Sequence, residues 1–387
     1  MSQVMRLGDV VVEKTGTRNP GDQPDAEFVY VDVAAVDNEL KLIAQPKTMI
    51  GADAPSRARK VIRGGDVLVS TVRPNLNAVA LVPSSLDGQI ASTGFCVLRA
   101  KSDLVLPEYL FYYTRTPVFI ARLIGLVAGA MYPAVTDRQV LDQRIPIPSL
   151  DEQRRIVDLL SRAEGIVRLR REVQANGQAI IPALFVDMFG DPAKNPKGWP
   201  MIAIEDLCSV RTGATPRREQ RLYYDGGTIP WVKTGEICES SIVDVEEHIT
   251  EKAVEETNCK VFPVNTILVA MYGQGQTRGR VGLLKVPAAT NQACAAILPG
   301  ERINQNFLYA LLMMQYERLR AMGRGGNQAN LNLGMIKSFR VPCPPLGAQL
   351  HFEERRESVV SITAQQAEAL KKAEDVFASI LACSFGN

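Results

Sequence analysis

The chain carries nearly the same pattern twice, roughly 200 residues apart, and a whole-domain repeat limits its architecture more than any other feature. Leu7-Gly8-Asp9-Val10 leading to Lys14-Thr15-Gly16-Thr17 is answered by Ile204-Glu205-Asp206-Leu207 leading to Arg211-Thr212-Gly213-Ala214. Gly65-Asp66-Val67-Leu68-Val69 corresponds to Asn265-Thr266-Ile267-Leu268-Val269, and Ala91-Ser92-Thr93-Gly94-Phe95-Cys96 to Ala289-Thr290-Asn291-Gln292-Ala293-Cys294. Both copies close alike, with Arg144-Ile145-Pro146-Ile147-Pro148 through Gln153 against Arg340-Val341-Pro342-Cys343-Pro344 through Gln349. A period this long implies a pseudo-dimer in one chain, not a solenoid of small repeats.

Each copy divides into a mixed segment and a helical tail. The mixed segment has short β-branched runs such as Phe28-Val29-Tyr30-Val31, punctuated by Gly and Pro. It also has one helical stretch, expected near residues 107–124 and 306–322. Pro146 and Pro148, like Pro342, Pro344 and Pro345, force an extended exit, because proline lacks an N–H and disfavours helix in the residue before it. Beyond them the apolar spacing alternates three and four. The expected seam is Val359, Ile362, Gln366, Ala369, Ala373, Val376, Ile380 and Cys383 in the second tail, and Ala163, Ile166, Arg170, Val173, Gly177, Ile180 and Leu184 in the first. Two such narrow stripes most simply bury each other as an antiparallel pair, with the middle of the first less tightly packed and Pro182 kinking or opening it.

Composition bounds the class. With 387 residues, 46% hydrophobic and 22% charged, the chain has room for two or three ordinary globular domains. No apolar run reaches the roughly 18–20 residues of a membrane span. The opening residues lack a signal-peptide core, so the cytoplasm is expected and no membrane partner. Seven cysteines without a Cys-x-x-Cys pair, and only two histidines (His248 and His351, in different copies), offer neither a disulfide framework nor a metal site. Net charge is only +2, but basic residues cluster at Arg57, Arg59, Lys60 and Arg63, at Arg211, Arg217, Arg218 and Arg221, and at Arg318, Arg320 and Arg324.

Catalytic motifs are missing. Residues 273–279 (Gly273-Gln274-Gly275-Gln276-Thr277-Arg278-Gly279) have the wrong spacing for a dinucleotide loop, and Lys233-Thr234 lacks the upstream glycines of a P-loop. No adenosylmethionine loop or amino-methyltransferase motif occurs, so neither a cofactor nor a catalytic residue is expected. The same glycine-rich turn suits another task. Tyr272, Gln274, Gln276, Arg278 and Arg280 place amides, guanidinia and a ring where they can meet base edges, since Gln and Arg make bidentate contacts to adenine and guanine. The corresponding turn of the first copy holds Arg73, Asn75 and Asn77. A second pair of turns carries Tyr132 and Asn327-Gln328, while Arg217, Arg218 and Lys233 are candidate phosphate contacts. Similar places with different residues would suit two readers of different sequences.

These residues resemble the DNA-specificity subunit of type I restriction–modification systems over essentially the whole chain. Residues 145–156 (Ile145-Pro146-Ile147-Pro148-Ser149-Leu150-Asp151-Glu152-Gln153-Arg154-Arg155-Ile156) look like the junction into the family's conserved helix. Residues 184–192 look like its end, and Gly213-Ala214-Thr215-Pro216 with residues 226–232 is similar to the opening of its recognition domain. The first copy departs at Gly16-Thr17-Arg18-Asn19 and Tyr30, and the second junction reads Gly347-Ala348-Gln349.

The resemblance implies an α+β chain with two tandem mixed α/β target-recognition domains, separated by long conserved helices that pair as an antiparallel coiled coil. The expected segments are recognition domain 1 at 1–148, a central helix at 149–190, a linker at 191–198, recognition domain 2 at 199–346 and a C-terminal helix at 347–387. It implies a non-catalytic reader of a split site in double-stranded DNA, docking methyltransferase and restriction subunits. Helices of roughly 25–35 residues would give a ruler of about 40–50 Å, or about 11–15 base pairs. A free-standing DNA-binding protein and a self-contained enzyme with an unrecognised site remain the alternatives.

Overall fold

A computed structural model describes residues 3–127, 133–238, 241–273, 275–325 and 330–386. It resolves two compact units that are not contiguous in sequence: Met1–Arg171 with Glu368–Asn387, and Glu172–Ala367. Each therefore combines one mixed domain with parts of both helical tails.

The two mixed domains are built alike. In the first, Val67–Ser70 pairs antiparallel with Val79–Leu81 and with Phe95–Leu98. In the second, Ile267–Ala270 pairs in the same way with Val281–Leu284 and with Cys294–Ile297. Val67–Ser70 and Ile267–Ala270 are buried on both faces, which is why they read as unbroken apolar runs. Each domain adds one parallel pairing, Glu27–Val31 with Ile90–Ser92 and Ile229–Val232 with Ala289–Thr290. Each is closed by a ribbon joining its ends, Gln3–Arg6 against Arg144–Ile147 and Met201–Ala203 against Arg340–Pro342. Gly213 is forced by one close approach, since a Cβ there would lie 1.8 Å from the Thr290 carbonyl oxygen.

The helical stretch of each domain departs from expectation by breaking in two. Pro107–Tyr113 gives way to Pro117–Gly125, because Thr116 caps a new helix by accepting from the Phe119 N–H and Pro117 cannot continue the old one. In the second domain Gln305–Met314 stops at Gln315, whose buried amide donates to the Pro192 carbonyl, before Tyr316–Ala321 begins.

The tails form helices at Leu150–Phe189 and Leu346–Phe385, 40 residues each and about 60 Å long at 1.5 Å per residue. They are longer than the 25–35 residues taken for the ruler, because helix begins directly after the prolines and runs on through Pro182, which lies on an exposed side. Within each unit the two helices run antiparallel. In the first, Ile156 and Leu160 share a core with Leu381, while Arg171 pairs with Glu374 at 2.7 Å. In the second, Leu184 and Phe185 share a core with Phe352, and Gly177 is buried against Thr363.

The seam is corrected in part. Ala163, Gly177 and Leu184 are buried as expected, but Ile166, Val173, Ile180, Ile362, Val376 and Cys383 point to solvent, and Ile156, Leu160, Val167, Leu370, Phe377 and Leu381 from the neighbouring stripe turn inward. Nor is the stretch at Gly177 loosely packed, since a Cβ there would approach the Thr363 methyl to 3.1 Å. The reason is what each helix end must fill. Phe385 packs on Tyr109 and Tyr113 of the first domain (centroids 4.9 and 5.7 Å). Phe189 packs on Phe307 (4.9 Å) and Phe352 (5.7 Å) beside the second. Among the described residues no helix is long and apolar enough to cross a membrane.

Candidate nucleic-acid interface

One buried glutamine braces the junction of each mixed domain with its tail. Gln153, with no exposed surface, accepts from the Leu106 N–H (2.9 Å) and donates to the carbonyls of Leu104 (2.9 Å) and Pro148 (3.0 Å). Gln349, equally buried, accepts from the Asn304 N–H (2.8 Å) and donates to the Pro344 carbonyl (2.7 Å). The departure at Gly347-Ala348 thus leaves the working residue of the junction in place. Buried carbonyls and amides need such partners.

On this frame the two candidate reading turns fall at equivalent positions, each joining the strands of the buried hairpin. In the first domain, Thr71 N–H donates to the Gly94 carbonyl, Val135 N–H to the Thr71 carbonyl and Arg73 N–H to the Pro133 carbonyl. In the second, Met271 N–H donates to the Ala293 carbonyl and Leu331 N–H to the Met271 carbonyl. Each domain therefore gathers the hairpin turn and two further segments at one end of its sheet. In the second domain residues 213–215 join them, through Thr215 Oγ1 on Gln292 Oε1 at 2.5 Å. Gln292, exposed and unread in the sequence apart from its place in the repeat, belongs to this cluster.

The turns reach similar places by different means. The second bends at Gly273, Gly275 and Gly279, all at positive φ. The first holds Arg73 and Asn77 left-handed (φ 48° and 46°) around Pro74-Asn75-Leu76. Non-glycine residues in that region carry strain on the order of 1–3 kcal/mol, which persists where surroundings enforce it. Lys41 helps to enforce it, its Nζ donating to the Asn77 carbonyl at 2.6 Å. Burial, and next the Arg115 guanidinium, push the Lys41 ammonium down to about 8.

Arg73, Asn75, Tyr272 and Gln276 are exposed, while Asn77, Arg278 and Arg280 are half-buried. Arg280 donates to Gln276 Oε1 at 3.2 Å, and Arg278 Nε is buried without a hydrogen-bond partner among the described residues. Gln274, Tyr132, Asn327 and Gln328 lie outside the described residues.

Of the three candidate phosphate contacts, Arg217 is exposed and makes no ion pair among the described residues. Arg218 and Lys233 are otherwise engaged. Both pair with Glu247, at 2.6 and 2.8 Å, and Arg218 also lies over the rings of Tyr224 (4.9 Å) and Trp231 (5.0 Å). The cause is strand pairing: Trp231 N–H donates to the Glu247 carbonyl, placing that carboxylate among the basic side chains. Hydrogen bonds from Arg218, then Lys233, hold the Glu247 carboxyl below the usual range. The other basic clusters are partly spent inside the fold. Lys60 pairs with Asp137, and Arg318 lies over Phe339 at 5.0 Å.

A doubled α+β domain with one turn cluster per copy and two antiparallel helical tails defines a class. Residues 2–175 and 196–366 match the type I restriction modification DNA specificity domain, and the chain belongs to that family. It is similar to the HindI specificity subunit of Haemophilus influenzae, with 21% identity over 92% of this chain and 90% of that one. It is also similar to the MjaIX specificity subunit of Methanocaldococcus jannaschii, with 23% identity over 74% and 68%. Among solved structures it resembles the HsdS subunit of Thermoanaerobacter tengcongensis (29% identity, 99% and 96% covered, TM-score 0.52). A chain from a study of complex assembly in a type I R-M system gives 28% identity, 99% and 97% coverage and a TM-score of 0.72.

Proposed function

We propose that the chain is the sequence-reading subunit of a type I restriction–modification complex, without catalysis of its own. Residues 1–148 and 199–346 each read one half of a split site in double-stranded DNA. The observation that carries this reading is the equivalent turn built at the same end of both hairpins but furnished with different side chains, Arg73, Asn75 and Asn77 against Tyr272, Gln276, Arg278 and Arg280. Equivalent placement suits a common docking geometry, and different donors and acceptors suit different bases.

Methyltransferase and restriction subunits supply the chemistry. Support for docking comes from the apolar side chains that the long helices leave exposed, Ile166 (53%), Leu169 (59%) and Val173 on the first, Ile362 (55%) and Val376 on the second. Such residues on charged helices are a common mark of a protein interface. The test is incubation of the purified chain with labelled adenosylmethionine and DNA, with and without the methyltransferase subunit. Methyl transfer is expected only with the partner present, and transfer by the chain alone would overturn the reading.

A further inference from the structure

The second reading turn is held by two half-buried side chains of the helix that packs against it. Tyr316 Oη donates to the Gln276 carbonyl at 2.7 Å. Arg320 Nη2 donates to the Gly275 carbonyl at 2.8 Å, and its Nη1 to Tyr316 Oη at 2.9 Å. Because the tyrosine hydroxyl has a single hydrogen, accepting from Arg320 leaves it aimed at Gln276, and the chain of bonds runs one way. Gly279 completes the dock, for a Cβ there would sit 3.3 Å from the Arg320 backbone nitrogen. Helix Tyr316–Ala321 therefore carries a turn whose three positive-φ glycines would otherwise leave it loose.

The two bonds that reach the turn both end on backbone oxygens. Side chains at 272, 276, 278 and 280 can then change without disturbing the support. The first domain uses the same device, with Lys41 Nζ on the Asn77 carbonyl.

We propose that Arg320 and Tyr316 in the second domain, and Lys41 in the first, are positioning residues that fix the reading turns before DNA arrives. The proposal rests on the turns being the reading surface. Ordering a glycine-rich turn during binding costs affinity for the correct site and blurs rejection of wrong ones, so a turn ordered beforehand discriminates better.

The test uses the full chain assembled with its methyltransferase partner. Binding is measured on duplexes with the intact target and with one base pair changed in either half-site. Tyr316→Phe removes one hydroxyl and no bulk. It should lower discrimination at the half-site read by the second domain about fivefold, the equivalent of one net hydrogen bond. Discrimination at the other half-site, affinity for unrelated DNA and its salt dependence should stay unchanged, as should the melting temperature. Arg320→Lys should act in the same direction, and Lys41→Met should reverse the half-sites.

Loss at both half-sites alike would mark a general folding role and overturn the proposal. A flattened salt slope in Arg320→Lys would make Arg320 a phosphate contact and overturn it too. If Gln276→Ala loses discrimination while Tyr316→Phe and Arg320→Lys keep it, the turn reads DNA without needing the clamp, and the positioning role is wrong. If Gln276→Ala and Arg278→Ala also keep wild-type discrimination, the turn is not the reader and the proposal falls with that reading.

Discussion

Replacing Gln349 by leucine conserves most of the volume and removes only the polar end. That end satisfies the Asn304 N–H and the Pro344 carbonyl at a site with no solvent access. A net hydrogen bond is worth about 1 kcal/mol, and a buried backbone group left unpaired costs about 1–3 kcal/mol. The loss should therefore be about 2–4 kcal/mol for Gln349→Leu. For Gln153→Leu, where three bonds go, it should be somewhat larger, about 3–5 kcal/mol. The chain's two tryptophans, Trp199 and Trp231, both lie in the second unit, so intrinsic fluorescence during urea unfolding reports that unit. With a slope near 2 kcal/mol per molar urea, Gln349→Leu should lower the tryptophan midpoint by roughly 1–2 M. Gln153→Leu should leave that midpoint nearly in place and shift a separate, tyrosine- or ellipticity-reported transition. A Gln349→Leu midpoint indistinguishable from wild type would refute the claim that this glutamine braces the junction. Equal displacement of the tryptophan transition by both variants would refute the assignment of each glutamine to the junction of its own domain.

Exchange of residues 1–147 for the equivalent segment of a relative should change one half of the methylated target only, as read by genome-wide methylation mapping; a change in both halves would contradict one reader per copy. Gln276→Ala and Arg278→Ala should each weaken specific binding by about 1–3 kcal/mol, a base-edge loss. Arg217→Ala should weaken binding to all sequences and reduce its salt slope, as measured by titrations at several ionic strengths. Insertion of four residues after Gln174 adds about 6 Å of helix and a rotation of about 40°. If helix length sets the half-site separation, the preferred spacer should lengthen by one or two base pairs, and an active variant with the original spacer would exclude that ruler. Gly177 packs close to Thr363, so this insertion should also cost stability, visible as a lower melting temperature.

Much was legible in the sequence because its causes are local. The repeat, the buried hairpin strands and the proline exits follow from apolar patterning and from proline's missing donor, and all appear where the residues place them. The turn residues 73–77 and 272–280 were found for the same reason, since glycines, asparagines and arginines between two apolar runs mark a polar hairpin end. Their supports were not legible. Lys41 lies 36 residues from Asn77, and Arg320 lies 45 from Gly275, with nothing in the intervening pattern to join them. Arg218 and Lys233 resembled free cations until strand pairing brought Glu247 to them.

The amino-acid sequence by itself determined that there are two like domains, each followed by a long amphipathic helix. Which face of each helix turns inward was left to the tertiary structure. Apolar residues occupy two adjacent stripes, and a spacing of three and four fits either one. Ile166 or Val167, and Val376 or Phe377, are equivalent choices by periodicity alone. Packing separates them: Arg115 of the first domain offers its guanidinium to Phe377 at 5.2 Å, and Tyr109 and Tyr113 receive Phe385. The end of the second helix thereby completes the core of the first domain, and Phe185 and Phe189 at the end of the first helix complete the core of the second. Burial is a property of the partner as much as of the residue, so this exchange of helix ends could be settled only where the surfaces meet.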